Sequence, residues 1–262
     1  MFSTYPDVDA VLRGFLEGAR SILGGRFVGL YLYGSLAAGD FSPDRSDIDF
    51  VVVTDGELSR APLSALTEMH DHFASSDSPW ATEIDGSYIP RDALRRYDPE
   101  RATHPHVERG VGELRVEHFG PDWVIQRHVL REHGLVLAGP PPRTLIDPLD
   151  QGDIRQAVRA LALDVWAPLG EDPVELAHWH WGAQVYTILT MCRMLHTLET
   201  GEVVSKQAAA RWARSALGPP WASLIDRALA WKKTDPRDAA AADAAATGAL
   251  VRLVVERWRA SS

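Results

Sequence analysis

Lysine is almost missing from this chain: Lys206, Lys232 and Lys233 stand against 24 arginines. Positive charge of both kinds is outnumbered, 27 Lys and Arg facing 36 Asp and Glu for a formal net charge of −9. The deficit lies in one part, since residues 1–148 hold 23 acids and 14 bases whereas residues 149–262 hold 13 of each. A nonspecific grip on nucleic acid needs clustered basic side chains facing phosphate, so the expectation is no nucleic-acid partner; an acidic surface is instead compatible with attracting cationic small molecules. Cysteine occurs once, at Cys192, which rules out an intrachain disulfide and fits a reducing compartment. No apolar run reaches membrane-spanning length, and no basic segment leads into an apolar core at the N-terminus. The expectation is a soluble, cytoplasmic protein without a membrane partner. Also missing are a G-x-x-x-x-G-K-[ST] loop, a protein-kinase motif set, and the Cys/His or H-x-x-x-H spacing of a zinc site.

What is present is an ordinary globular composition, 45% hydrophobic and 24% charged over 262 residues, enough for one large domain or two small ones. Val8, Val11, Leu12, Phe15, Leu16 and Ala19 recur at helical spacing and predict a packing helix over 7–23. A buried strand is expected over 27–33, a second from 47 to 53, a helix over 60–74 and a third strand over 80–89. Pro99, Pro105 and several glycines break any period in 98–120, which predicts loops with one short strand at 114–119. Asp122 is placed as the cap of a helix over 123–132, and Pro140-Pro141-Pro142 as a stiff candidate hinge. Beyond 150 strand signals stop. Helical patterns over 150–167, 173–199, 205–216, 219–233 and 236–259 predict an up-and-down bundle. The fold class is therefore α+β, with an N-terminal mixed-sheet domain over 1–148 and a C-terminal α-helical bundle over 149–262.

The chemistry concentrates in residues 33–53. An apolar strand ends in Gly34-Ser35, a polar loop follows, and Ser46-Asp47-Ile48-Asp49 opens a valine run. Asp47 and Asp49, two apart on a strand, share a face, and paired hard oxygen ligands suit Mg²⁺. Gly34 and Ser35 can offer an N–H and a hydroxyl to phosphate oxygens, so the stretch reads as a metal site that handles a nucleoside triphosphate. The strand over 80–89 offers Glu83 and Asp85 on one face as a third carboxylate. Lys206 has its own argument: Ser205 is a plausible N-cap, so this cation enters a first helical turn whose dipole disfavours it unless an anion lies alongside.

This set resembles the nucleotidyltransferase signature of the DNA polymerase beta superfamily. Residues 186–212, with Arg193, Gly201, Ser205, Lys206 and Trp212, are similar to the helical domain of the aminoglycoside nucleotidyltransferases that adenylylate streptomycin and spectinomycin. The resemblance implies transfer of AMP from ATP to a drug hydroxyl, with Mg²⁺ as cofactor, and ATP and drug held between two domains. It makes Asp47 and Asp49 the metal ligands and Glu83 the base, with Asp85 as substitute. It makes Ser35, Ser46, Asp122 and Lys206 nucleotide contacts, and Arg193 a residue facing the same cleft. Trp231 stands where the family carries a tyrosine near the nucleotide. Ala183, ten before Arg193, departs from streptomycin-modifying relatives, which place acidic and tryptophan side chains in this region. Nearby polar groups are instead Glu171, Asp172, Glu175, His178 and His180, interleaved with Trp179 and Trp181. Spectinomycin or another hydroxyl acceptor stays open, and the chain is taken as a monomer. The alternatives are an adenylyltransferase acting on a metabolite or protein hydroxyl, and a silent nucleotide-binding regulatory or antitoxin module.

Overall fold

The computed structural model describes residues 3–111, 113–235 and 241–261. They divide into two compact units, Met1–Phe41 with Ser46–Pro148, and Leu149–Ser262 with Ser42–Arg45. In the first unit α1 spans Pro6–Leu23, with proline at a position whose N–H has no helical partner and Asp7 and Asp9 in the positive first turn. Its buried stripe of Val8, Leu12, Phe15 and Ala19 covers a sheet. The remaining elements are β1 (Phe27–Leu32), α2 (Gly34–Ala37), β2 (Ile48–Thr54), α3 (Arg60–Ala74), β3 (Ile84–Pro90), α4 (Arg91–Arg95), β4 (Thr103–Val107), β5 (Leu114–His118), α5 (Asp122–His133) and β6 (Leu135–Ala138).

The six strands run in the order β5-β4-β3-β2-β1-β6. Among the described residues only β2 and β3 pair in parallel, the pairing that requires a crossover, and α3 supplies it. The parallel register sets Asp49 opposite Asp85. Val51, Val52 and Val53 of β2 are all fully buried, which is why this strand reads as a continuous apolar run.

Several sequence expectations change. The stretch expected as loop over 98–120 contains β4 as well as β5, with Pro105 in mid-strand opposite Val116. Pairing of β4 with β3 reaches only His106 and Val107, so the missing N–H of Pro105 removes no bond on that side. The third strand starts at Ile84 rather than 80. Glu83 lies just before it, in a turn where its N–H donates to the Trp80 carbonyl at 3.1 Å. Asp122 is the first residue of α5, and Pro121 takes the cap position before it. The proline run is not a boundary. The Pro140 carbonyl accepts the Tyr31 hydroxyl at 2.9 Å, Pro142 is buried, and both belong to the first unit.

The core of this unit contains an aromatic cluster in which Phe15 meets Phe50 edge-on at 4.6 Å and His70, fully buried, shares a 2.7 Å hydrogen bond through Nε2 with the Tyr88 hydroxyl. Burial pushes the His70 imidazole down to about 4. The unfolded chain takes up this proton near 6.5 and the native state near 4, so stability present above 6.5 is lost as pH falls through 4. Between pH 7 and pH 5 the share lost through His70 is about 2 kcal/mol. Urea unfolding of the parent and His70→Phe at both pH values checks this: the variant should lose less stability on acidification, by about that amount.

The second unit is helical: α6 (Gln151–Ala160), a π-helical turn over Leu161–Trp166, α7 (Ala167–Glu171), α8 (Pro173–Ala177), α9 (Trp181–Thr200), α10 (Lys206–Leu217), α11 (Trp221–Ala230) and α12 (Ala241–Ala260). Helix α6 starts with a reciprocal capping box between Asp150 and Asp153. Helix α9 is buried along most of its length, through Val185, Ile188, Met191 and Leu195, and packs against α10, α11 and α12. The single helix expected over 173–199 is two. The chain breaks at 178–180 and restarts where His180 Nδ1 accepts the Ala183 N–H. Residues 236–240 of the last expected helix lie outside the described residues. The loop 42–45 belongs to this unit through the 2.7 Å Lys232–Asp44 pair, the 2.8 Å bond from Lys233 N–H to the Asp44 carbonyl, and the hydrogen bond from Arg45 to the Leu229 carbonyl. Cys192 is buried, and burial pushes its thiol up to about 12, which disfavours the thiolate. No helix among the described residues is long and apolar enough to cross a membrane.

Candidate active site

Strand β1 ends at Leu32, and the Tyr33 N–H donates to the Asp49 carbonyl at 3.1 Å, which fixes the corner leading into α2. Gly34 sits there with φ +62, and a β-carbon at this position would overlap the Asp49 carboxylate. Glycine is required twice over, by the left-handed backbone and by the close approach of an acid side chain. The next residue, Ser35, has its hydroxyl oxygen buried with no hydrogen-bond partner. A buried hydroxyl left unmet costs free energy, so a hydrogen-bond partner from outside the chain would stabilise this one. Ser46 is buried just ahead of Asp47.

The acids gather around one phenol. The Tyr33 hydroxyl is held well above its ordinary range by burial, and further by the charges of Asp49, Asp85, Asp47 and Asp122. Asp122, at the start of α5, thus belongs to the same acidic region. Glu83 and Asp47 are drawn to a common cation that the sequence did not single out. Arg109, in the turn between β4 and β5, places Nε 2.9 Å from Glu83 Oε2 and Nη1 3.4 Å from Asp47 Oδ2. Its backbone N–H donates to Asp85 Oδ2 at 3.2 Å, and the Gly110 N–H donates to the Thr82 carbonyl at 2.7 Å. Arg109 lies in the stretch that no periodicity organised. The available signal was an arginine beside Gly110 in an acidic half of the chain.

Asp85 and Glu83 differ in their commitments. Asp85 also faces His106 Nε2 at 3.8 Å, while His106 Nδ1 shares a 3.0 Å bond with Ser87. Burial raises the Asp85 carboxyl above the usual range against the opposing pull of His106 and the Arg109 N–H. Asp85 therefore ties the β4–β5 hairpin to β3. Glu83 meets a side chain that can swing away.

The remaining expected residues lie in the second unit. Ser205 caps α10, its hydroxyl accepting the Ala208 N–H at 3.1 Å. Lys206 follows, with Nζ 3.9 Å above the centre of the Tyr186 ring, and Tyr186 in turn lies 6.5 Å from Trp166 of the π turn. Arg193 is half-buried on α9 between buried Cys192 and Met194. Trp231 ends α11, its ring lying over Gly182. The polar groups near Ala183 are largely engaged locally. Glu175 accepts the Trp179 indole N–H, Asp172 accepts the Glu175 N–H, Glu171 pairs with Arg259, and His180 caps α9.

Asp47 and Asp49 offer hard oxygens, and the guanidinium among the acids shows that the region draws positive charge. Among the described residues no group of three or more acids, histidines or cysteines closes a metal cage. That donor set still fits Mg²⁺, which is ordinarily held by one or two carboxylates together with substrate phosphates.

Residues 12–102 match the family described as the nucleotidyltransferase domain, and residues 144–257 match the aminoglycoside adenylyltransferase C-terminal domain. The chain is 28% identical over 221 residues to the spectinomycin 9-adenylyltransferase of Staphylococcus aureus, covering 80% of each. It is 28% identical over 207 residues to the aminoglycoside (3'') (9) adenylyltransferase of Escherichia coli, covering 75% of this chain and 74% of that one. The fold is shared with the crystal structure of spectinomycin adenyltransferase AAD(9) from Enterococcus faecialis with ATP and spectinomycin. That match has a TM-score of 0.72 at 16% identity and covers 95% of this chain and 98% of the other.

Proposed function

Because this chain belongs to the aminoglycoside nucleotidyltransferase family, we infer that it is an adenylyltransferase that moves AMP from ATP to a hydroxyl of spectinomycin. The acceptor oxygen forms a bond to the α-phosphorus, the bond from that phosphorus to the bridging oxygen breaks, and pyrophosphate leaves. The observation that carries this reading is the convergence of Asp47 and Glu83 on one guanidinium beside the Gly34–Asp49 contact.

Glu83 accepts the proton of the acceptor hydroxyl; a carboxylate within reach of a swinging side chain suits that task better than Asp85, which anchors a hairpin. Asp47 and Asp49 would hold Mg²⁺, which supplies neutralisation of phosphate charge as the transition state forms. Ser35 donates its unpaired hydroxyl to a phosphate oxygen, and Ser46 and Asp122 contact the nucleotide. Within the helical unit, Lys206, over the Tyr186 ring, is a proposed nucleotide contact, with Trp231 as another and Arg193 as a substrate contact. The acidic excess of residues 1–148 favours arrival of a cationic drug. Ala183 and the locally engaged groups around it leave few acids available for streptomycin, so spectinomycin is the acceptor of choice.

The test is pyrophosphate release with ATP, Mg²⁺ and spectinomycin, with mass spectrometry of the drug. Adenylylated spectinomycin is expected, with little or no product from streptomycin. Turnover of neither drug, together with turnover of a metabolite or protein acceptor, would move the assignment to that acceptor.

A further inference from the structure

The β4–β5 turn carries a cation into an acidic region whose chemistry calls for a different one. Arg109 reaches Glu83 at 2.9 Å and Asp47 at 3.4 Å, while N–H groups at 109 and 110 tie its backbone to Asp85 and Thr82. The guanidinium is therefore aimed, not draped. The side chains of Arg109, Asp47 and Glu83 are 33%, 32% and 23% exposed, so these pairs are screened by water and can exchange partners. A fully buried bridge would not. Arg109 and a divalent ion also make competing claims on Asp47, because a guanidinium beside the carboxylate offsets its negative charge and repels a second cation there.

We propose that Arg109 is a positioning residue, an internal counter-cation that holds Asp47 and Glu83 together before ligands arrive and competes with the divalent metal. Nucleotide phosphates end the competition by offering the guanidinium bidentate oxygen partners, which arginine binds well. Metal then enters together with nucleotide rather than ahead of it, and Glu83 is released to take a proton. This rests on the reading of Asp47 and Asp49 as metal ligands.

Mn²⁺ binding to the full-length protein, followed by electron paramagnetic resonance, tests the proposal. Without nucleotide, Arg109→Gln should bind Mn²⁺ about tenfold more tightly than the parent, equivalent to roughly 1.4 kcal/mol. Adding an ATP analogue with a methylene group between the α- and β-phosphorus atoms should tighten Mn²⁺ binding less in the variant than in the parent. Arg109→Lys, which keeps the charge but loses the planar fork, should fall between them. Unchanged or weaker Mn²⁺ binding in Arg109→Gln with a parent-like circular dichroism spectrum overturns the proposal. If Arg109→Gln does not fold, equality of Arg109→Lys with the parent overturns it instead. Asp49→Asn separates the two claims: it should abolish Mn²⁺ binding in either background, and retained binding there would sink the metal assignment itself.

Discussion

Glu83→Gln is expected to lower kcat for AMP transfer by roughly 10² to 10⁴, the range a positioned general base contributes, with little change in ATP affinity. Glutamine keeps the size and hydrogen-bonding reach of glutamate but cannot accept the proton of the attacking hydroxyl. The loss should therefore appear in kcat and kcat/KM together, as for an interaction made only at the transition state. The contrasting variant is Asp85→Asn. Asp85 accepts the Arg109 N–H and faces His106, so its replacement should loosen the β4–β5 hairpin and lower thermal stability while leaving part of the turnover. Single-turnover pyrophosphate release and thermal denaturation of both variants decide the matter. A larger rate loss in Asp85→Asn than in Glu83→Gln would transfer the base to Asp85.

Gly34→Ala is expected to remove at least about 10² of activity, since a displacement of about 1 Å at a reacting centre can cost that much. Two effects add. At φ +62 a β-carbon is strained by about 1 to 2 kcal/mol, and here it would also occupy the space of the Asp49 carboxylate. Either α2 shifts, carrying Ser35 with it, or Asp49 turns away from Asp47; both spoil the arrangement that holds phosphate and metal. Melting temperature should fall by only a few degrees, because the strain is local and the core beneath β1 is untouched. A variant that keeps full turnover would mean that the corner and Asp49 can part without consequence, and the role given to Gly34 and Ser35 would be lost.

The elements that sequence periodicity reaches are those whose burial is set by near neighbours. The stripe of α1 and the apolar run of β2 can be read directly, because each is a local pattern answering to near neighbours, whereas Asp47, expected as the first strand residue, lies just before β2. Strand β4 could not be read so. Thr103–Val107 contains two histidines and a proline, and it is a strand only because β3 and β5 lie on either side of it. Arg109 was hidden for the same reason, since its acidic partners are 26 and 62 positions away. The break before α9 was masked by Trp179 and Trp181, which continue an apolar pattern across residues 178–180. The capping nitrogen of His180 is visible only once the backbone turns. Asp122 shows the opposite failure: a residue type favoured as a cap became the first helical residue because Pro121 takes the position before it.

The in-register parallel pairing of β2 with β3 couples chemistry to folding. Side chains along a strand alternate in direction, so sliding β3 by one residue would exchange Asp85 with Ile84 and leave a carboxylate facing the aromatic core. No stable variant can carry that mistake, since the apolar side chains that penalise it are those that hold the sheet. Drift in the acid constellation is therefore policed by stability itself. Substitutions that alter which acceptor is taken should accumulate instead in segments outside this pairing, where they leave the alignment of the carboxylates unchanged.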